Sequence, residues 1–285
     1  SPPMTSGHSS VSLLTERSGN AALASWPFEF QSQATILKAV PHNGPAAGGS
    51  TVMLFGSHFS SRAASLGYLR CRFNLTETVA HFVNDSVITC TAPAHPGLPS
   101  TVPLEMSNNM ADFTSSGIGF DFQRVVHITS VEPASGPVAG GSLVTVEGEN
   151  FVASKTTCRF GGVAVSATFV STGIAQCMSP VHDGVASLRV FVSISTNELD
   201  FADSRVQFSY HDILQVHQLD PPQGPPQGRT LVAVYGQGFV QSASLKCRFD
   251  ASIVDAVFVS STIVNCSTPA GNAGAVALEV SNNGV

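Results

Sequence analysis

Residues 133–180 read PASGPVAGGSLVTVEGENFVASKTTCRFGGVAVSATFVSTGIAQCMSP. A Pro-x-x-Gly-Pro opening, Pro133 to Pro137, and the pair Gly140-Gly141 lead into Val144-x-Val146, which ends at Gly148 and is followed by Phe151. Alternation of period two puts Val144 and Val146 on one face of a β-strand and Thr145 and Glu147 on the other. Gly reaches positive φ and Pro fixes φ, so the Gly-Pro and Gly-Gly pairs are expected to be turns between short strands. Cys158-Arg159-Phe160 follows, and 19 residues after Cys158 stands Cys177, which opens Cys-x-x-Pro180.

The same stretch occurs three times. Cys71 and Cys90, and Cys247 and Cys266, repeat the 19-residue spacing, and equivalent cysteines recur after 87 and then 89 residues. Cys-Arg-Phe is found at Cys71–Phe73 and Cys247–Phe249, and the proline after the second cysteine at Pro93 and Pro269. Upstream, Pro41–Pro45 and Pro221–Pro225 repeat the opening, Val52/Leu54 and Val232/Val234 the strand, Gly56 and Gly236 its end, and Phe59 and Phe239 the aromatic. Downstream come further alternating strands, Val102/Leu104/Met106 and Val276/Leu278/Val280, and closing strands at Phe120/Phe122 and Phe208/Tyr210. A fixed period of this kind marks a repeat architecture. About seven short strands per period, with turn signals between them, predict an all-β chain of tandem immunoglobulin-like antiparallel β-sandwiches.

The repeats are expected at 35–123, 125–211 and 213–285, the last lacking its final strand. Residues 1–31 are expected to be the C-terminal part of a preceding repeat, with Val11/Leu13 and Phe28-Glu29-Phe30 as its last two strands. Both ends then fall inside repeats, so the polypeptide is expected to continue in both directions or to pair there with something else. No Gly/Ser-rich linker separates Phe122 from Ile128 or Tyr210 from Leu214, which predicts a semi-rigid array.

Pro-x-x-Gly-Pro-x-x-Gly-Gly, Val-x-Val-x-Gly-x-x-Phe, Cys-x-Phe-Gly, Cys-x-x-Pro and a terminal Phe-x-Tyr together resemble the IPT/TIG family, an immunoglobulin-like fold found in plexins and fibrocystin-like proteins. The resemblance covers nearly the whole chain and is fullest in the second repeat, with Gly140-Gly141, Asn150-Phe151 and Phe160-Gly161 in place. The third carries Arg229 for the second Gly and Gly238 for Asn, and the first has Asn74 for the Gly after Cys-x-Phe. Membership of this family implies recognition modules, spacers or dimerisation domains, a range that the fold alone does not narrow.

One cysteine on each of two partner strands, three times over, is read as one disulfide per sandwich: Cys71 with Cys90, Cys158 with Cys177, Cys247 with Cys266. The alternative is three pairs of buried free thiols. Zinc is set aside because no Cys-x-x-Cys or His-x-x-x-His accompanies the cysteines. Disulfides imply an oxidising compartment and hence a secreted or cell-surface protein. Three N-glycosylation sequons begin at Asn74, Asn84 and Asn265. Asn74 and Asn84 are expected in exposed turns, whereas Asn265 abuts Cys266 within a strand.

With 285 residues, 43% hydrophobic and 11% charged, the chain has enough apolar material for several cores, and its net charge of -6 gives no reason to expect nucleic acid or an anionic membrane as partner. No apolar run is long enough to insert into a bilayer. The nine histidines read as single residues without repeating spacing, no Gly-x-Ser-x-Gly elbow occurs, and Gly48-Gly49-Ser50 and Gly140-Gly141-Ser142 lack the Lys of a phosphate loop. Asp200, Asp203 and Asp212 near the second junction, like Asp112 and Asp121 in the first repeat, form no calcium-loop pattern. No catalytic residue and no cofactor or metal is therefore expected. The chain is expected to be a non-catalytic extracellular or cell-surface array, a semi-rigid spacer and protein-interaction or adhesion scaffold whose partners are proteins or copies of itself. A structural subunit of an extracellular fibre, wall or flagellar-type appendage, and the accessory domains of a secreted enzyme, are the alternatives.

Overall fold

A computed structural model of the chain describes residues 7–14, 22–97, 99–153, 156–183 and 188–284, with side chains from residue 28 onward. It comprises two units, Ser1–Gln123 and Arg124–Val285. Among the described residues, no helix is long and apolar enough to cross a membrane, which does not bear on β-barrels.

The first unit begins with an antiparallel hairpin, β1 (Gly7–Leu14) against β2 (Ala22–Phe30). Parts of the expected tail of a preceding repeat, residues 1–6 and 15–21, lie outside the described residues. A β-sandwich follows, built from β3 (Thr35–Val40), β4 (Asn43–Pro45), β5 (Thr51–Ser57), the one-turn α1 (Ser61–Ser65), β6 (Arg70–Phe73), β7 (Thr76–Asn84), β8 (Val87–Thr91), β9 (Ser100–Ser107) and β10 (Gly119–Gln123). The strand order is β3-β5-β8-β7-β6-β9-β10-β4. One long strand folds this ribbon into two layers: the first half of β7 pairs with β6, from Thr76 opposite Phe73 to Val79 opposite Arg70, and its second half pairs with β8, from Ala80 opposite Cys90 to Asn84 opposite Val87.

In the second unit, β11 (His127–Glu132), β12 (Ser135–Pro137), β13 (Leu143–Glu149), β14 (Thr157–Phe160), β15 (Val163–Ser171), β16 (Ile174–Met178), β17 (Arg189–Ser195) and β18 (Gln207–His211) repeat the arrangement as β11-β13-β16-β15-β14-β17-β18-β12. The third sandwich has β19 (Gln215–Asp220), β20 (Leu231–Gln237), β21 (Lys246–Phe249), β22 (Ser252–Ser260), β23 (Ile263–Ser267) and β24 (Leu278–Ser281), ordered β19-β20-β23-β22-β21-β24.

The alternating residues of the strand after each opening behave as their spacing requires, whereas Val276, expected in one strand with Leu278 and Val280, lies outside β24 and is exposed. Val52, Leu54, Val144, Val146, Val232 and Val234 are buried, while Met53 and Tyr235 on the opposite face are exposed. The Gly-Pro openings depart from expectation. Instead of forming plain turns, Gly44-Pro45 and Gly136-Pro137 belong to three-residue strands, β4 and β12, which lie parallel to β10 and β18. The first two sandwiches therefore have eight strands, not seven. Pro contributes no N–H, which an edge strand of this kind tolerates. Residues 223–225, the counterpart in the third sandwich, form no strand, and no counterpart of β10 or β18 is present there among the described residues to pair with them.

The next-to-last residue of β5, β13 and β20, Gly56, Gly148 and Gly236, must be glycine for close approach. It faces a bulge in the neighbouring strand, where the register shifts between Ile36 and Lys38, Ile128 and Ser130, and Val216 and Gln218. At Gly148 a Cβ would stand 2.0 Å from the His127 carbonyl oxygen and 2.6 Å from the Phe151 ring. Phe59, Phe151 and Phe239 fill the space this leaves, and all three are buried.

Candidate interaction surfaces and modification sites

The disulfides sit where β7, β15 and β22 pass from one layer to the other. Cys71 on β6 is joined to Cys90 on β8, Cys158 on β14 to Cys177 on β16, and Cys247 on β21 to Cys266 on β23, with Cα–Cα distances of 6.3, 6.4 and 6.2 Å. Each pair ties the two layers together from within the core, and all six cysteines are buried. No free cysteine is present among the described residues.

Asn74 begins the turn between β6 and β7 with φ of 55°, and its counterparts Gly161 and Asp250 adopt φ of 59° and 50°. Asn, Gly and Asp are the residues that tolerate this left-handed conformation, so the turn alone accounts for Asn74. Asn84 ends β7 and its Oδ1 accepts a hydrogen bond from the Ser86 N–H at 2.9 Å. Both asparagines are exposed. Asn265 lies in the middle of β23, between Ala233 of β20 and Val257 of β22. Val264 and Cys266 on either side of it face the core, so Asn265 faces outward.

Two of the histidines do repeat, contrary to the reading of their spacing. His95 and His182 each stand five residues after the second cysteine of their repeat. His95 stacks on Phe122 with ring centroids 4.7 Å apart, and His182 on Tyr210 at 4.8 Å. Their backbone N–H groups donate to the Ala46 and Val138 carbonyls, fastening the segment after the second cysteine over the opening loop and closing strand. The role is packing. Tyr210 donates its hydroxyl to the Pro180 carbonyl at 3.1 Å, and burial pushes its pKa up to about 12.

The Arg of Cys-Arg-Phe also has a repeated partner. The guanidinium of Arg72 lies 3.8 Å from the centroid of Phe113 and that of Arg159 4.1 Å from Phe201. Each phenylalanine is carried on a loop folded by an asparagine. Asn109 Oδ1 accepts from the Ala111 and Asp112 N–H groups while its amide donates to the Asp112 carboxylate at 2.8 Å. Asn197 does the same with Leu199 and Asp200. In the third repeat Arg248 Nε instead donates to Glu279 at 2.6 Å. Arg72 and Arg159 at the residue after cysteine were visible as a repeat, and so was Ser-x-Asn-x-x-Asp-Phe at Ser107–Phe113 and Ser195–Phe201, a recurrence that the reading of the sequence missed.

Asp112 and Asp200 thus staple loops, and no group of three or more His, Cys, Asp or Glu residues that could hold a metal occurs among the described residues. A shallow cavity of about 330 Å³ between the second and third repeats is lined by Val138, Asp212, Ile213, Gln215, Gln237 and Gly238, a set with one ionisable side chain and no nucleophile.

The profile of the IPT/TIG domain matches residues 34–122, 127–210 and 214–285. Mouse fibrocystin-L is 26% identical over 277 residues, covering 95% of this chain and 6% of that protein. Human fibrocystin-L is 24% identical over 243 residues, covering 81% and 5%, and plexin-2 of Caenorhabditis briggsae 24% over 245, covering 80% and 13%. The chain therefore spans a small part of the length of these relatives. Among solved structures, the full extracellular region of plexin A4 is similar over 85% of this chain and 21% of that one, with 17% identity and a TM-score of 0.45. With three domain matches that together take in most of its length, and one disulfide-closed sandwich in each, the chain belongs to the IPT/TIG domain family.

Proposed function

We propose that the chain is a non-catalytic part of an extracellular repeat array, in which closely joined sandwiches space and present protein-binding sites. The observation that carries this reading is the direct succession of disulfide-closed domains. Only residues 212–214 separate β18 from β19, and the Asn283 side-chain amide donates to the Ser135 carbonyl at 2.9 Å, tying the third repeat to the second. Three disulfides favour an oxidising compartment. Exposed Asn74 and Asn84 are the natural carriers of N-linked glycans there, and the β1–β2 hairpin fits the last two strands of a preceding repeat, since β9 and β10 form the same antiparallel pair.

Insertion of a flexible Gly/Ser segment after His211 tests the spacer role. Small-angle scattering of the secreted chain should show a narrow size distribution that the insertion broadens. No change on insertion would mean that the junction is already loose, and the spacer reading fails. Concentration-dependent growth of the unaltered chain in sedimentation would favour an assembling fibre subunit instead.

A further inference from the structure

The outward face of the layer formed by β19, β20, β23 and β22 is apolar at its centre, whereas its edge residues Leu231 and Val259 have exposed apolar counterparts, Leu143 and Val170, in the second repeat. On this face Asn265 is flanked directly by Ala233 and Val257, and Tyr235, paired with Ile263, and Leu231, paired with Ser267, stand on its diagonals, within reach of long side chains. Leu231 is 62% exposed, Val257 61%, Val259 52% and Tyr235 37%. The residues equivalent to Asn265 are Thr89, flanked by Met53 and His81, and Gln176, flanked by Thr145 and Thr168. Only in the third repeat are both flanking residues apolar, and only there does the central position open a sequon, Asn265-Cys266-Ser267. Contiguous exposed apolar patches on secreted domains call for a cover.

We propose that Asn265 carries an N-linked glycan and that its first sugars lie over Leu231, Tyr235, Val257 and Val259. The donor is a lipid-diphosphate-linked oligosaccharide. The Asn265 amide nitrogen bonds to the anomeric carbon, the bond from that carbon to the diphosphate oxygen breaks, the lipid diphosphate leaves with the electron pair, and the nitrogen gives up one proton. Transfer takes place on the nascent chain, before β23 is enclosed between β20 and β22. The outward direction of the side chain then lets the modified strand enter the sheet, with Cys266 still facing Cys247. The C–H face of a pyranose matches an aromatic ring such as Tyr235, and its hydroxyls turn to water. A glycan at this point shields the face from other chains.

The proposal rests on the extracellular reading, and the test separates the two. The chain is secreted from eukaryotic cells, its glycopeptides are mapped by mass spectrometry, and the folded glycoprotein is treated with peptide N-glycosidase. Asn265 should be occupied. Glycan release, or the variant Ser267→Ala, should raise the fluorescence of an apolar-surface dye severalfold and promote self-association, whereas Asn74→Gln and Asn84→Gln should not. Ser267 is exposed, and enzymatic release acts on a protein that has already folded, so loss of folding does not obscure the result. An unmodified Asn265 beside an occupied Asn74 or Asn84 overturns the proposal and leaves the extracellular reading intact. Three empty sequons together with free thiols overturn both. An occupied Asn265 whose release leaves dye binding and the association state unchanged overturns the covering role.

Discussion

At the residue scale, the positions that look interchangeable in the repeat separate into those set by space and those set by conformation. Gly148 is set by space, because a methyl group there meets a backbone oxygen and a buried ring that has nowhere to go. Gly148→Ala is expected to lower stability by about 3 kcal/mol, measured by urea unfolding. Arg229 is set by conformation. It takes φ of 66° where Gly49 and Gly141 take 92° and 83°, and a Cβ at either glycine meets nothing within 4 Å. Arg229→Gly is therefore expected to stabilise the third repeat by about 1 kcal/mol in the same measurement. Tyr210 gives a pH signature. Its folded pKa, about 12, lies above the ordinary 10.0, so the unfolded chain ionises first. The stability contributed by the neutral phenol is fully present below pH 10.0 and is lost as pH rises towards about 12. Tyr210→Phe, which copies Phe122 of the first repeat, should remove this loss while leaving the acid side of the pH profile unchanged.

At the scale of elements, the long strand β7 and its counterparts β15 and β22 explain why one cysteine pair per repeat suffices. Each strand belongs to both layers, and the disulfide spans the strands on either side of the crossing, where a break would let the layers separate. Replacing Cys158 and Cys177 together by Ser is expected to cost about 3 kcal/mol, the loop-closure value for a 19-residue separation, with urea unfolding as the readout. The sandwich and its cysteine frame were legible because Val144/Val146 and the Cys158–Cys177 spacing recur at a fixed period, and period two has one structural meaning in so short a segment. The three-residue strands β4 and β12 were not legible. Their pairing is with β10 and β18, nearly a whole repeat away, and Gly44-Pro45 carries the composition of a turn. His95 and His182 are a different case, since their spacing equals that of the cysteines and was open to view, but a packing histidine has no chemical signature apart from its recurrence.

At the scale of the whole molecule, the proposed array is a chain of covalently closed sandwiches matured where disulfides persist. Much of the candidate site was beyond the sequence. A sequon states that Asn265 can be modified, but only the pairing of β20, β23 and β22 shows that it stands among Leu231, Tyr235 and Val257, because Leu231 and Tyr235 lie 34 and 30 residues before it and even Val257 reaches it only across the β22–β23 turn. The low charge content, 11% of residues, leaves few surface ion pairs to hold the domains. Ion pairs such as Arg62 with Glu29, Lys246 with Asp255 and Arg248 with Glu279 each have at least one partner well exposed and are worth little. Raising the salt concentration is accordingly expected to leave the unfolding midpoint nearly unchanged. The cysteines carry the claim. The most direct test is peptide mapping by mass spectrometry of freshly secreted chain, alkylated without reduction. The predicted result is three cross-links, Cys71–Cys90, Cys158–Cys177 and Cys247–Cys266, with no alkylated cysteine. Six alkylated thiols, or links between different repeats, would contradict it.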